Sequence, residues 1–290
     1  MATTVSSFSL PTSRTISYAL TQASSGSNAP IVLLSNSLCA PFTSWDHVVP
    51  ELTSRGLSVL RYDQPGHGAS TVPVDLSSTT FETLADDVRE LLKHLSITRL
   101  HAWIGVSMGA ATGIVFAANY PGIVQKLVVC DTISCSPVNA GGADVFGPRV
   151  AAAREAGKMD GIIDGTLERW FGSAWLNANP DEAGRMRRLM SGTSIDGFET
   201  CCAALRSKTF DLRALTVQAG QGVDEALFIV GEKDANLPET MQQLREGVAE
   251  GLKKKGSQVS VDFHVIKDAG HVCYVDGYDQ FITLVTQFIA

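Results

Sequence analysis

Leu100-His101-Ala102-Trp103-Ile104-Gly105-Val106-Ser107-Met108-Gly109-Ala110-Ala111 is the stretch on which the fold turns. Leu100 to Ile104 is a short apolar run of the kind that forms a buried strand, and a helical pattern starts at Met108. The helix must end near Tyr120-Pro121, because proline disfavours the helical conformation in the residue before it. Between strand and helix, Gly105-Val106-Ser107-Met108-Gly109 matches the G-x-S-x-G nucleophile elbow. A serine on so tight a turn leaves no room for side chains two positions away on either side, and glycine removes the collision. The outcome is an open hydroxyl at a helix N-terminus, whose partial positive charge favours a developing oxyanion. Five residues with three fixed recur by chance, and the plainer reading of Ser107 is a helix cap. The strand before and the helix after favour the nucleophile.

Outward from the elbow, strands and helices alternate. Ile31 to Leu34, Leu57 to Tyr62 and Leu127 to Cys130 read as further buried strands. Trp45 to Ser54 suits a helix, and Phe81, Leu84, Ala85, Val88, Leu91, Leu92 and Leu95 follow the spacing of an amphipathic one. Thr79 with Glu82 offers that helix a capping box. Such alternation predicts an α/β fold with a mostly parallel sheet flanked by helices. From about Thr132 to Val223 the pattern turns helical only, with Ala219-Gly220-Gln221-Gly222 as the loop leading out. Strand Ala226 to Val230, helix Pro238 to Lys254, strand Val259 to Ile266 and helix Tyr278 to Ile289 then restore the alternation. The organisation expected is one α/β core, residues 1–131 and 224–290, with a helical cap at 132–223.

A nucleophilic serine needs a base, and the chain order for this elbow is serine, acid, histidine. Of the six histidines, only His264 and His271 come late enough. His264 falls inside an alternating strand. His271, in Ala269-Gly270-His271-Val272, falls in the loop after it, at the sheet edge where functional groups gather. The acid should end the preceding strand, which points to Asp234 in Gly231-Glu232-Lys233-Asp234. Glu232 and Asp131, which ends an earlier strand, are the competitors. Oxyanion donors are expected from the backbone N–H groups of Met108 and of Leu38, in the loop after the first buried strand.

The composition sets outer limits. The 290 residues carry a formal charge of −7, with 44% apolar and 18% charged residues. That is ample for a large core, and it argues against nucleic-acid binding through bulk electrostatics. The basic run Lys253-Lys254-Lys255 suits a solvated helix end. No apolar run reaches the roughly 18 residues of a membrane span, and the Ser/Thr-rich start lacks the apolar core of a secretory signal. Six cysteines without disulfide or zinc spacing suggest free thiols. The expectation is a cytoplasmic protein without metal or cofactor.

These segments resemble an α/β-hydrolase and, more narrowly, the 3-oxoadipate enol-lactonase group. The resemblance is carried by Leu34-Ser35-Asn36-Ser37-Leu38, Arg61-Tyr62-Asp63-Gln64-Pro65-Gly66-His67-Gly68-Ala69-Ser70, the elbow, Leu167-Glu168-Arg169-Trp170-Phe171, and Gly197 to Arg206. The elbow and the Gly-His-Gly turn mark only the superfamily, whereas the last two segments lie in the cap. Three features depart from that group. Cys39 stands where glycine is expected, Gln64-Pro65 replaces Thr-Arg, and Gln242 to Gly256 lengthens the segment between acid and histidine.

The resemblance implies hydrolysis of a lactone or carboxylic ester through a Ser107–His271–Asp234 triad and an acyl-enzyme. A carboxylated lactone needs a counter-charge, for which Arg169 and Arg206 are the candidates in the cap. Trp45, Trp170 and Trp175 are candidates to line the pocket. The alternatives are an esterase, thioesterase or secondary-metabolite lactonase, a lyase using the same triad, and a small-molecule receptor on this fold.

Overall fold

The computed structural model describes residues 4–24, 26 and 29–290; the first three residues of the expected core lie outside it. Its eight strands are β1 (Val5–Ser9), β2 (Thr15–Thr21), β3 (Ile31–Ser35), β4 (Ser58–Tyr62), β5 (Leu100–Val106), β6 (Val124–Cys130), β7 (Glu225–Gly231) and β8 (Asp262–Ile266). They form one sheet in the order β1-β2-β4-β3-β5-β6-β7-β8. From β4 to β8 all pairings are parallel, while β1 and β2 add an antiparallel edge. That edge was not expected. Val5-Ser6-Ser7-Phe8-Ser9 and Thr15-Ile16-Ser17-Tyr18 carry too many hydroxyls to read as buried strands. Ile16 and Tyr18 nevertheless join the core, and the N–H of the buried Ser17 between them donates to Ser70 Oγ at 2.8 Å.

Helices α1 (Val48–Ser54), α2 (Phe81–His94), α3 (Met108–Asn119) and α9 (Leu237–Lys254) connect the core strands, and α10 (Cys273–Asp276) and α11 (Tyr278–Phe288) follow the last of them. Every residue of α3 except Asn119 is buried, as a crossover helix pressed on the sheet should be. The capping box of α2 lies one residue beyond the expected pair. Thr80 Oγ1 accepts from the Thr83 N–H and Thr83 Oγ1 from the Thr80 N–H. Thr79 instead joins Thr200 hydroxyl to hydroxyl at 2.7 Å, across to another helix.

Between β6 and β7 lie α4 (Gly147–Ala156), α5 (Asp160–Ala178), α6 (Pro180–Met190), α7 (Ile195–Arg206) and α8 (Thr216–Gly222). Ala219 to Gly222, read as a loop, is the end of α8, which packs on α3 and α9 rather than beside α4 to α7. Its glycines serve close contact: a Cβ on Gly220 would meet the Val248 carbonyl oxygen at 2.2 Å. The α4–α7 layer sits on the Gly66-His67-Gly68 turn. Gly66 and Gly197 touch backbone to backbone, and the Ser194 N–H donates to the Gly66 carbonyl at 3.0 Å. Among the described residues, no helix is long and apolar enough to cross a membrane.

Candidate active site

Ser107 sits between β5 and α3 at φ 55°, ψ −117°, a strained conformation for a residue with a Cβ. The elbow glycines account for that strain being tolerated. A Cβ on Gly105 would stand 2.4 Å from the Gly109 carbonyl oxygen, and one on Gly109 would stand 2.3 Å from that of Ser35. Gly109→Ala should therefore cost at least about 3 kcal/mol of stability, the upper range for overpacking. In a domain this size that is a fall of roughly 10 °C in Tm, readable by calorimetry. The Ser107 side chain makes no capping hydrogen bond to α3, so its hydroxyl is not spent on the plainer role.

His271 and Asp234 come from the ends of β8 and β7. His271 Nδ1 and Asp234 Oδ2 are 2.7 Å apart, both side chains being about nine-tenths buried. An ionised Asp234 accepts from Nδ1–H and leaves Nε2 as the free basic nitrogen. Ser107 and His271 line one cavity. The competitors for the acid are occupied elsewhere: Glu232 is exposed and accepts from the Asp268 N–H, and Asp131 Oδ1 accepts from the Gly231 N–H at 2.7 Å. The other histidines are also accounted for. His47 faces Glu182, His94 stacks on Phe8, His101 contacts the Ile289 carbonyl, and His264 stays half-buried on β8.

Leu38 and Met108 line the same cavity. As the first residue of α3, Met108 has an N–H with no intrahelical acceptor. The loop carrying Leu38 is held from behind. Cys39 takes φ 69°, the left-handed region in which glycine is unstrained, and its N–H donates to His67 Nε2 at 2.8 Å. His67 must then be a neutral imidazole with its proton on Nδ1, 3.0 Å from the Pro65 carbonyl. Burial fits this state, pulling its pKa down to about 4. Asn36, Gln64 and Asp63 complete the support. Gln64 Nε2 donates to the Asn36 carbonyl, and Asp63 Oδ1 accepts from the Phe42 N–H. The Gly-His-Gly turn thus props the loop that carries Leu38, a role that a pattern match alone does not disclose.

The expected substrate contacts divide. Trp170 and Arg169 line the cavity, from α5. Trp45 does not: it is fully buried below the loop, donating to Asn36 Oδ1 and stacked 3.7 Å from Tyr274. Arg206 pairs with Asp144 at 2.6 Å and is 44% exposed, outside the lining. Trp175 stacks on Phe171, also away from the cavity.

Arg169 has no carboxylate partner among the described residues, whereas Arg154, Arg185, Arg187 and Arg213 all do. Its side chain is open to water, yet protein crowds the guanidinium enough that burial, and then Arg149, lower its pKa. Arg149, which the sequence did not single out, donates to Thr166 on the cavity wall at 2.7 Å and likewise lacks an acidic partner. Trp170 Nε1 and Ser37 Oγ are buried polar atoms without a hydrogen-bond partner, and both residues line the cavity.

The free space above Ser107 is only about 60 Å³, room for a few water molecules. A hollow of about 460 Å³ bounded by Phe42, Asp46 and Arg61 is larger, but neither Ser107 nor His271 lines it. Chemistry, not size, marks the site. Among the described residues, no cluster of histidine, cysteine, aspartate and glutamate could hold a metal ion. All six cysteines are buried and free.

The chain is similar to known proteins. The chain is 27% identical over 266 residues to 3-oxoadipate enol-lactonase 1 of Acinetobacter baylyi, covering 90% of this chain and 89% of that one. To enol-lactonase 2 of the same organism it is 29% identical over 176 residues, which span 61% of this chain and 62% of the relative. The crystal structure of the enol-lactonase from Burkholderia xenovorans LB400 superposes with a TM-score of 0.83 at 28% identity, over 98% of this chain and 99% of that one. Residues 30–278 match the family model of the alpha/beta hydrolase fold, and the chain belongs to that family.

Proposed function

We propose that the protein is a serine hydrolase that opens a small carboxylated lactone or ester, in the manner of an enol-lactonase. Three elements support this reading: the strained Ser107, the 2.7 Å His271–Asp234 pair beside it, and an unpaired Arg169 on the wall above. His271 takes the Ser107 proton as the hydroxyl attacks the carbonyl carbon. Asp234 holds the imidazole tautomer and steadies the imidazolium that forms. The N–H groups of Leu38 and Met108 receive the oxyanion, each such donor contributing about 3–4 kcal/mol in comparable sites. His271 then passes its proton to the leaving oxygen, and water, activated by the same histidine, releases the acyl group. No cofactor enters these steps.

Arg169, Trp170 Nε1 and the Ser37 hydroxyl present donors on the cavity wall, with Arg149 behind Thr166, an arrangement suited to a ligand rich in acceptor oxygens. In a protein of charge −7, an unpaired arginine on the wall of the Ser107 cavity favours a carboxylate. The cap supplies this selection and the core supplies the chemistry. Buried free thiols suit work in the cytoplasm. The structural support favours Arg169 over Arg206 as the carboxylate contact, because Arg206 is already paired.

A screen of lactones and esters by mass spectrometry identifies the substrate and separates a hydrolase from a lyase by product mass. Arg169→Ala should lower kcat/KM for an acidic lactone about 10- to 100-fold, the loss of a charged hydrogen bond, and spare a small neutral ester. Equal loss on both substrates would make Arg169 structural. No loss on either would remove the carboxylate from the proposal.

A further inference from the structure

Two carboxyl groups near the dyad, one fully buried and one half-buried, have no part in the mechanism above. Asp131, at the end of β6, is fully buried at φ 46°, in the left-handed region that aspartate tolerates better than most side chains. Its Oδ1 accepts from the Gly231 N–H at 2.7 Å. Asp276, at the end of α10, is half-buried, and its Oδ2 accepts from the Gly270 N–H at 2.6 Å. Gly231 opens the turn that carries Asp234, whose N–H donates back to the Gly231 carbonyl at 3.2 Å. Gly270 immediately precedes His271.

The two glycines abut: a Cβ on Gly231 would stand 2.1 Å from the Gly270 carbonyl oxygen. The loops are laced further by the Lys233 N–H donating to the Ala269 carbonyl at 2.8 Å. The His271 N–H donates to the Trp170 carbonyl at 3.1 Å, which ties the histidine to the cap. Each carboxyl therefore grips one of the two backbones whose separation sets the Asp234–His271 distance.

Building on the proposed triad, we infer that Asp131 and Asp276 are positioning residues, a two-sided clamp that holds Asp234 and His271 in register. Neither touches the reacting atoms. Their environment suits carboxyls used as acceptors rather than as charges. Burial first, then the nearby Cys273 and Asp234, push Asp131 well above the usual carboxylate range. Burial, with a smaller contribution from Asp234, brings Asp276 up to about 7. Lys233 and Cys273 are the other titratable groups close to Asp276. A neutral carboxyl still accepts through its carbonyl oxygen, and asparagine places the same oxygen at the same reach.

The test compares Asp131→Ala, Asp131→Asn, Asp276→Ala and Asp276→Asn with the wild type. One readout is kcat and KM on a single ester; the other is the low-field proton NMR signal of His271 Nδ1–H bonded to Asp234. Losing a clamp should lower kcat by up to about 100-fold, the cost of displacing a catalytic group by an ångström or so, and leave KM unchanged. The low-field signal should broaden or move upfield in the alanine variants and return, with kcat, in the asparagine variants. Wild-type kcat and signal in the alanine variants would overturn the clamp. So would a loss confined to KM, or asparagine variants as impaired as alanine ones. Should Asp131→Ala fail to fold, Asp276→Ala at the half-buried position decides on its own. A wild type that shows the low-field signal but hydrolyses no ester would sink the proposed function, while the NMR comparison would still decide the clamp.

Discussion

Ser107→Ala is expected to lower ester or lactone turnover on the order of a millionfold, with the fold intact. That is the magnitude seen when the nucleophile of a serine triad is removed, because the remaining groups have nothing to activate. The folding part of the expectation has a local reason. Ser107 makes no side-chain cap to α3, and alanine keeps the same Cβ, so the strain of the φ 55° backbone is unchanged. Circular dichroism and Tm should therefore match the wild type within error. A fluorophosphonate should add one covalent label per chain at Ser107, located by peptide mass spectrometry, and none to the alanine variant. Labelling elsewhere with Ser107 untouched would remove the serine from the mechanism. Turnover surviving within tenfold would do the same.

The core elements were legible because one-residue choices there have backbone consequences. Gly105 and Gly109 announce contacts at 2.4 and 2.3 Å that no side chain survives, and the apolar runs of β3 to β7 have both faces covered. The antiparallel edge escaped because serines and threonines interrupt its apolar residues, although Ile16 and Tyr18 of β2 join the core. The cap was harder to read in detail. Its helices were recognisable from spacing, but which face of each meets the cavity depends on how they sit on the core. Arg169 and Arg206 look alike in sequence. The structure separates them through Asp144, which lies in the loop before α4 and pairs with Arg206. Arg149 carried no sequence signal; its place beside Thr166 arises only when α4 packs against α5. Trp45 illustrates the converse. Trp45 was a candidate to line the pocket, yet its indole N–H donates to Asn36 and its face stacks on Tyr274.

Asp234→Asn should lower kcat by about 10⁴-fold, the size of effect known for the equivalent change in a serine triad. The asparagine amide can present N–H to His271 Nδ1, which forces the ring proton onto Nε2, the nitrogen that must accept from Ser107. The imidazolium formed during attack also loses its counter-charge. Binding should suffer much less, since Asp234 does not line the cavity, so KM is expected to stay within a few-fold. Asp131→Asn is the matched comparison, because both aspartates end core strands and both are buried. Asp131 Oδ1 holds a backbone N–H, a job an amide oxygen continues to do, whereas Asp234 Oδ2 sits 2.7 Å from the histidine ring, where an amide N–H is the wrong partner. The ratio of the two losses measured on one ester is the decisive quantity. A large loss for Asp234→Asn beside a small one for Asp131→Asn places the orienting charge at the end of β7. The reverse ratio would move it to the end of β6 and require His271 to turn away from the partner it has in this structure.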